Sequence, residues 1–451
     1  MRSKVQTVEM CAGPLFKNIW RFAIPLLLTS VVQKLYNTAD VLVVGRYAGQ
    51  EALAGVGATG SLISLVLDLF VGLSAGVSVT LGRALGKKDN TDIHKITHTA
   101  ILISIIGGAV ISVFGYVFAE PLLRLTDVPE NVLPQAKIYM QIIFLGKMPA
   151  LLYNFGSAIL RAKGDTKRPL CIVFVSGAIN VGLNLFFVLR LGMQADGVAL
   201  ATVISQLFTA VCVLWILLHE TDATRLFIRK IRIHKKAITD IVKIGVPSGI
   251  QGMVFSVSNV ILQSAVNGFG SAAIAGAAAA SNIGGYYYMM QNTFFHAALV
   301  FTSQNVGAGQ YDRVRKVLKY CILDVAMVWA AEAVFTLFTA SHMISLFVPG
   351  DLEAIRMGTS RHMVIGCTYG LCGIMEVLSG VNRGMGYSFS SLLISVLGVC
   401  GIRIIWIITV FPMIGTFPSL FASMPLSWIG TIVLHFIFYQ CIIRKETKIT
   451  A

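Results

Sequence analysis

Long apolar runs recur along the whole chain and are separated by short polar stretches. A hydrocarbon core demands about 20 consecutive apolar residues of a spanning helix, and the runs reach that length. Closed barrels would instead show weaker, alternating segments. The pattern predicts an all-α membrane protein with twelve spans, near residues 16–45, 52–80, 96–119, 134–160, 168–189, 196–218, 239–267, 272–303, 317–340, 356–382, 389–412 and 418–442.

The distribution of basic side chains predicts the orientation of these spans. Most of the 36 Lys and Arg residues lie in alternate connections and at the two ends of the chain. Because cytoplasmic loops are enriched in Lys and Arg, we expect both termini on the cytoplasmic side of a plasma (inner) membrane. The longest basic segment, residues 219–243, joins the two halves and is expected to lie on anionic lipid headgroups.

An internal repeat is the most informative feature of the sequence. A shift of about 222 positions superposes several landmarks, namely Ile24-Pro25 on Val246-Pro247, Ala54-Gly55 on Ala275-Gly276, Asp89 on Asp312, and Arg161–Gly164 on Arg383–Gly386. The repeat predicts an N-terminal six-helix lobe (1–218), a basic cytoplasmic linker (219–238) and a C-terminal six-helix lobe (239–451). Two halves of even span number insert alike, so we expect a pseudo-twofold axis along the membrane normal, with a cavity between the lobes.

Composition excludes several other classes of protein. The chain is 56% hydrophobic and only 13% charged, whereas soluble domains carry about 25% charged residues. The basic residues that give the net charge of +15 lie in short stretches between apolar runs, a distribution that does not indicate nucleic-acid binding. The eight cysteines have no metal-ligand spacing and are expected to be reduced apolar fillers. No Walker-type phosphate loop is present, so we expect no cofactor and an ion gradient as the energy source.

Ionisable groups inside spans are costly, and Asp40 in the first span is the strongest candidate for function. It lies roughly 9 Å from the outer end of the span, at 1.5 Å per residue. Its carboxylate would hold a cation or take up a proton; the alternative is a structural ion pair with another helix. Asn180 and Asn184 share one face of the fifth span at a similar depth. With Asp40 they would form a sodium site, or they bond neighbouring helices instead.

The second half offers weaker candidates. Glu376 in the tenth span and Arg403 in the eleventh differ in depth, and the sequence leaves open a structural contact or a second coupling site. Gln251 and Gln263 are polar groups of the seventh span. Together with the aromatic and Met residues of the seventh and eighth spans, they would line a cavity for amphipathic ligands, or simply pack in the core.

The order and spacing of these features resemble the multidrug and toxic compound extrusion (MATE) transporters over nearly the whole chain. The resemblance rests on six-plus-six spans, Pro25, the segment Tyr36–Asp40, the segment Gly45–Gly49 and the repeated turns Arg161–Gly164 and Arg383–Gly386. It implies two six-helix lobes and cation-driven antiport of organic, often cationic, compounds.

The resemblance also implies roles for particular residues. A carboxylate in the first helix is central to coupling in this family, and Asp40 matches it. The polar neighbours that match the family are Tyr36, Tyr139, Asn154, Asn180 and Thr202. The position of the family's usual second carboxylate is occupied here by Asn184, so one negative charge is missing. The choice between a proton and sodium as the coupling ion therefore stays open. Glu376 would be the remaining acid of the C-terminal lobe.

These features lead to a functional hypothesis. We expect a proton- or sodium-coupled antiporter that exports small organic, cationic or amphipathic compounds by alternating access and acts as a monomer in contact with membrane lipids. The alternative is a flippase for lipid-linked or amphipathic lipid cargo on the same fold. No acid–base constellation on one helix face supports an enzyme, and the tandem duplication argues against one.

Overall fold

The computed structural model describes residues 7–48, 50–126 and 128–450, and within these ranges the chain forms helices and turns without β-strands. Gly49, the last residue of the segment Gly45–Gly49, lies outside the described residues. The helices of the first half are α1 (Leu15–Val43), α2 (Gln50–Lys87), α3 (Asn90–Leu125), α4 (Leu133–Leu145), α5 (Lys147–Ala162), α6 (Lys167–Leu185) and α7 (Ala195–Leu218).

The second half repeats this order. Its helices are α8 (Lys235–Asn267), α9 (Ser271–Gly307), α10 (Tyr311–Phe347), α11 (Leu352–Gly366), α12 (Tyr369–Gly384), α13 (Ser388–Ser395), α14 (Ile402–Thr409), α15 (Phe411–Ile414) and α16 (Phe417–Thr450). Three segments are π-helical, Val44–Ala48, Phe186–Arg190 and Val396–Gly401, and Ile228–Lys230 forms a 3₁₀ turn.

The helices account for the twelve predicted spans. Nine described helices are long and apolar enough to cross a membrane. Two bent pairs, α4 with α5 (44°) and α11 with α12 (42°), make one span each. The 37-residue α9 has the length of a span but a more polar composition, which its run of Asn, Gln and Tyr explains. The all-α membrane fold with twelve spans is thereby confirmed.

The chain divides into two compact units whose boundaries differ from those of the predicted lobes. The first unit contains Ile24–Val246 with Thr7 and Val8, and the second contains Glu9–Ala23 and the residues from Pro247 onward. The basic linker therefore belongs to the first unit. In α1 and α8 the unit changes beside Pro25 and Pro247, where a proline removes an intrahelical hydrogen bond and allows a bend.

The two units repeat the same close helix approaches. A Cβ on Gly55 would lie 2.9 Å from the backbone nitrogen of Ala136, and a Cβ on Gly276 would lie 2.6 Å from that of Gly358. These two pairs are related by the same shift along the sequence. Only glycine permits backbones to approach this closely, which explains why the repeat retains it at both positions.

The repeated Arg-x-x-Gly turns also share one backbone conformation. Gly164 and Gly386 adopt φ angles of 89° and 85°, in a region that favours glycine. In both turns the glycine N–H donates a hydrogen bond to the backbone carbonyl of the arginine. The distance is 2.9 Å from Gly164 to Arg161 and 2.7 Å from Gly386 to Arg383. The turn therefore fixes the direction in which the chain leaves each bent span and enters the next helix.

Candidate functional site

Asp40 lies near the C-terminal end of α1, facing α6 and α7 of the first unit. Its side chain is buried, with 8% of the residue exposed. One carboxylate oxygen accepts a hydrogen bond from the Asn184 amide, and the other accepts one from the Thr202 hydroxyl at 3.5 Å. Asn180 donates to Thr202 at 3.4 Å, and its carbonyl accepts from Asn184 at 3.4 Å. The structure thus brings together the four residues Asp40, Asn180, Asn184 and Thr202.

No basic side chain pairs with this group within the described ranges of the chain. None of the ion pairs of the described residues involves Asp40. The buried carbonyl oxygen of Asn184 has no hydrogen-bond partner either. A buried carboxylate that is held only by neutral groups retains its capacity for a cation, because no fixed positive charge neutralises it.

Irregular helix geometry follows both key side chains. The π-helical segment Val44–Ala48 begins four residues after Asp40, and Phe186–Arg190 begins two residues after Asn184. The two segments contact each other. Single π-helical turns inside α-helices are frequent at functional sites, since the extra residue reorients side chains on the flanking turns. The sequence contained no signal for this feature.

Tyrosines and an apolar cluster surround the carboxylate. Tyr36 and Tyr139 lie close enough to Asp40 for electrostatic interaction. Beyond Asp40, a buried cluster of small aliphatic residues packs on Tyr139, formed by Val43, Val44, Ala52, Val188, Ala195 and Val198. Asn154 lies on α5, where its backbone carbonyl accepts from Ser157, and no hydrogen bond joins its side chain to Asp40.

The candidate residues of the second half do not form one group. Arg403 donates to the Ser427 hydroxyl at 3.2 Å, and Glu376 makes no ion pair with it in the part of the chain described. Gln251 instead accepts a hydrogen bond from Arg383, the arginine of the repeated turn. The exposed Gln263 donates to Asn267 one turn away, at 3.1 Å. Among the described residues, no ion pair or hydrogen bond joins Glu376 to Arg403, so their role as a second coupling site stays a prediction.

A second buried carboxylate, that of Glu332, lies in α10. The sequence did not indicate a partner for it. Glu332 is 5% exposed and accepts a hydrogen bond from the fully buried Gln291 of α9 at 2.7 Å. The Tyr287 hydroxyl lies 2.9 Å from Thr336 and 3.5 Å from the Glu332 carbonyl. Glu332 was visible in the sequence as an acid within a span, but its partner lies 41 positions away on another helix.

Another acid of α10 holds the start of α1 in the second unit. Asp324, which is fully buried, accepts a hydrogen bond from the Trp20 indole at 2.9 Å. Its second oxygen has no hydrogen-bond partner among the residues that the structure describes. Trp20 also packs edge-on against Phe294, and Phe22 packs against Phe301. Residues 15–23 of α1 are therefore anchored by one hydrogen bond and by aromatic contacts.

Comparisons with known proteins identify the class to which this architecture belongs. Twelve spans in two repeated units are the architecture of a multi-pass membrane transporter. The family model MatE matches twice, over residues 25–186 and 247–409, and the two matches begin at the prolines that the internal repeat superposes. The chain belongs to the multidrug and toxic compound extrusion (MATE) family, as the sequence resemblance indicated.

The relatives are transporters. The chain is 27% identical to the probable multidrug resistance protein YoeA of Bacillus subtilis (strain 168), with 86% of each chain covered. It is 23% identical to an FAD transporter of Shewanella oneidensis, again over 86% of each chain. Among solved structures it resembles a MATE transporter in complex with MaL6, with a TM-score of 0.91 and 21% identity over 98% of this chain and 99% of that one.

Proposed function

We propose that the protein is a cation-coupled antiporter that exports small organic, cationic or amphipathic compounds across the plasma membrane by alternating access, with both termini in the cytoplasm. The observation that carries this proposal is the buried carboxylate of Asp40, held by Asn184 and Thr202 without a basic partner. Family membership and the multidrug resistance relatives support the direction of transport and the class of cargo.

Coupling requires a group whose affinity for the cation differs between two conformations. Asp40 lies on the part of α1 that follows Pro25, whereas residues 15–23 of the same helix belong to the other unit. A bend at the proline would move Asp40 relative to α6 and α7, changing its contacts with Asn184 and Thr202. Binding of an external cation at Asp40 would then favour one conformation, and its release inside would return the transporter to the other.

The surroundings of Asp40 suit a proton better than sodium. The Asn184 amide nitrogen, not its carbonyl oxygen, faces the carboxylate, and Thr202 donates to the second oxygen. A sodium ion needs several oxygen ligands, so both Asn180 and Asn184 would have to turn their carbonyls towards it. A proton needs only the carboxylate.

Efflux from proteoliposomes under imposed ion gradients tests the proposal. A proton gradient should drive transport of a cationic dye, and Asp40→Asn should abolish the gradient-driven component while the protein is still inserted and folded. Glu130→Gln is the matched control, because Glu130 is an exposed acid that pairs with Arg124 and undergoes the same change of charge. Equal transport by the wild type and Asp40→Asn would reject the proposal.

The cargo is tested in the same vesicles. A panel of a cationic dye, a fluorescent lipid and FAD separates multidrug export from lipid flipping and from the activity named for the Shewanella relative. We expect gradient-driven movement of the dye. Movement of the lipid alone would favour the flippase alternative on the same fold.

A further inference from the structure

A cationic pocket lies in the first unit where the basic linker meets the start of α3. Its volume is about 380 Å³, and its lining comes from the start of α3, the end of the linker and the first turns of α8. The basic residues of its lining are Lys95, Arg232, His234, Lys235 and Lys236. None of them belongs to the Asp40 group.

The positive charge of this pocket exceeds its negative charge. Lys236 is neutralised by Asp92, with which it forms an ion pair at 3.0 Å. Lys95, Arg232 and Lys235 form no ion pair among the described residues, and Asp240 is the remaining acid of the lining. Three cations therefore face one carboxylate, an arrangement that attracts an anion.

The protonation equilibrium of His234 reports the same positive potential. Partial burial and then the charges of Arg232 and Lys95 lower the pKa of this imidazole below its ordinary value. His234 lies outside the membrane-spanning segments, directly before α8.

Hydrogen bonds hold the linker in the position that forms the pocket. The Thr99 hydroxyl accepts from the His234 backbone N–H at 3.2 Å and donates to the Arg232 carbonyl at 3.4 Å. The fully buried His98 accepts from the Phe227 backbone N–H at 2.9 Å. The pocket is therefore part of a fixed structure and does not depend on a freely moving basic tail.

The second unit holds its equivalent stretch of chain differently. There Arg313, at the start of α10, donates to the backbone carbonyls of Met10 at 3.1 Å, Ala12 at 2.7 Å and Gly13 at 2.9 Å. Met10 and Ala12 correspond in the repeat to Arg232 and His234. Arg313 thus bonds to the segment of chain before α1. In the first unit the repeat places the uncharged Asn90 at its position, and Thr99 bonds the equivalent segment instead.

We propose that this pocket binds a phosphate group, and that the group is the headgroup phosphate of an anionic phospholipid in the adjoining leaflet. The pocket is formed at the ends of two membrane-spanning helices, α3 and α8. Apolar side chains of the linker are exposed, with Ile228 70% exposed and Ile233, which belongs to the lining, 46% exposed. Exposed aliphatic residues among cations are typical of segments that lie in the headgroup region.

The test measures binding to the purified, full-length protein. The probes are a water-soluble short-chain phosphatidic acid, the matching short-chain phosphatidylcholine and inorganic phosphate. Arg232→Gln and Lys95→Gln each remove one cation of the pocket. Arg229→Gln is the matched control, because Arg229 is an exposed linker arginine outside the lining.

Saturable binding of phosphatidic acid should weaken about tenfold in Arg232→Gln and in Lys95→Gln, the size expected for one lost charge-assisted contact, and stay within about twofold in Arg229→Gln. Binding of inorganic phosphate much weaker than that of the lipid supports the headgroup as the source. Comparable binding of inorganic phosphate supports the same pocket with a soluble source.

Three results would overturn the proposal. They are an equal loss in all three variants, equal affinity for the zwitterionic lipid, and the absence of saturable binding. Size-exclusion profiles and thermal unfolding establish that each variant is folded. Because Lys95 and Arg232 lie on different segments, either variant alone is sufficient if the other does not fold.

Discussion

Lys163 lies in the turn between α5 and α6 and provides a quantitative test of how the first unit is held together. Its ammonium group forms ion pairs with Glu220 at 2.8 Å and Asp222 at 2.5 Å, and the side chains of Lys163 and Glu220 are each only 9% exposed. Arg168 completes the network with a second ion pair to Glu220 at 2.6 Å. The network joins the repeated turn to the end of α7.

Lys163→Met removes this buried cation and leaves two carboxylates with reduced compensation. Breaking a buried ion pair by deleting one partner costs about 3–5 kcal/mol. Arg168 still pairs with Glu220, although it also pairs with the buried Asp165, and the side chain of Asp222 is 48% exposed. We therefore expect a loss of about 3 kcal/mol or more. Equilibrium denaturation in mixed micelles with increasing SDS measures this difference.

Lys137→Met is the matched control. Lys137 pairs with Glu120 at the similar distance of 2.7 Å, but their side chains are 41% and 36% exposed. Exposed pairs of this kind contribute little, so this variant should denature like the wild type. Equal losses in the two variants, or no loss in Lys163→Met, would refute the argument from burial.

Acid should reduce the effect of Lys163→Met. Partial burial by itself would raise the pKa of Asp222, but hydrogen bonds from Lys163 and Thr224 outweigh it and hold the pKa below its ordinary value near 3.9. The stabilisation is therefore complete above the unfolded pKa and is lost as the pH falls through the folded one. The wild type and the variant should converge in stability below that pH.

Three further changes test other parts of the structure. Gly164→Ala should destabilise the protein more than Gly192→Ala in the same denaturation assay. Both glycines have positive φ, but only a Cβ at Gly164 would lie 2.3 Å from a backbone oxygen, that of Val8. His98→Ala removes the acceptor of the Phe227 N–H and should speed limited trypsin cleavage in the basic linker. Gln291→Leu leaves a buried carboxylate without its amide donor and should cost about 1–3 kcal/mol of stability, seen as a lower denaturation midpoint.

The sequence predicted those features of the fold that depend on local patterns. Apolar runs located the spans because a hydrocarbon core sets their length. The repeat superposes Gly55 on Gly276, and both positions are close helix approaches in the structure. The division of α1 and α8 between the two units, beside Pro25 and Pro247, was not predictable. A proline indicates where a helix can bend but not which helices its two parts contact.

Sequence reasoning reached the candidate site through depth, helical spacing and the family resemblance, which implied Thr202. Asp40 and Asn184 lie at similar depths on different helices, and the structure joins them by a hydrogen bond across 144 positions. The pair Glu332 and Gln291 was missed because no spacing rule connects two helices. The π-helical segments that follow Asp40 and Asn184 have no known sequence signature, so their contribution to the site became visible only in the structure.

The central claim is that the Asp40 carboxylate carries the coupling ion. Its most direct test is proton flux driven by cargo: a gradient of cationic dye is imposed on proteoliposomes, and the internal pH is followed with a trapped indicator. The wild type should move protons against the dye, and Asp40→Asn should move none while still exchanging labelled dye for unlabelled dye at equal concentrations. Undiminished proton movement in Asp40→Asn would contradict the account.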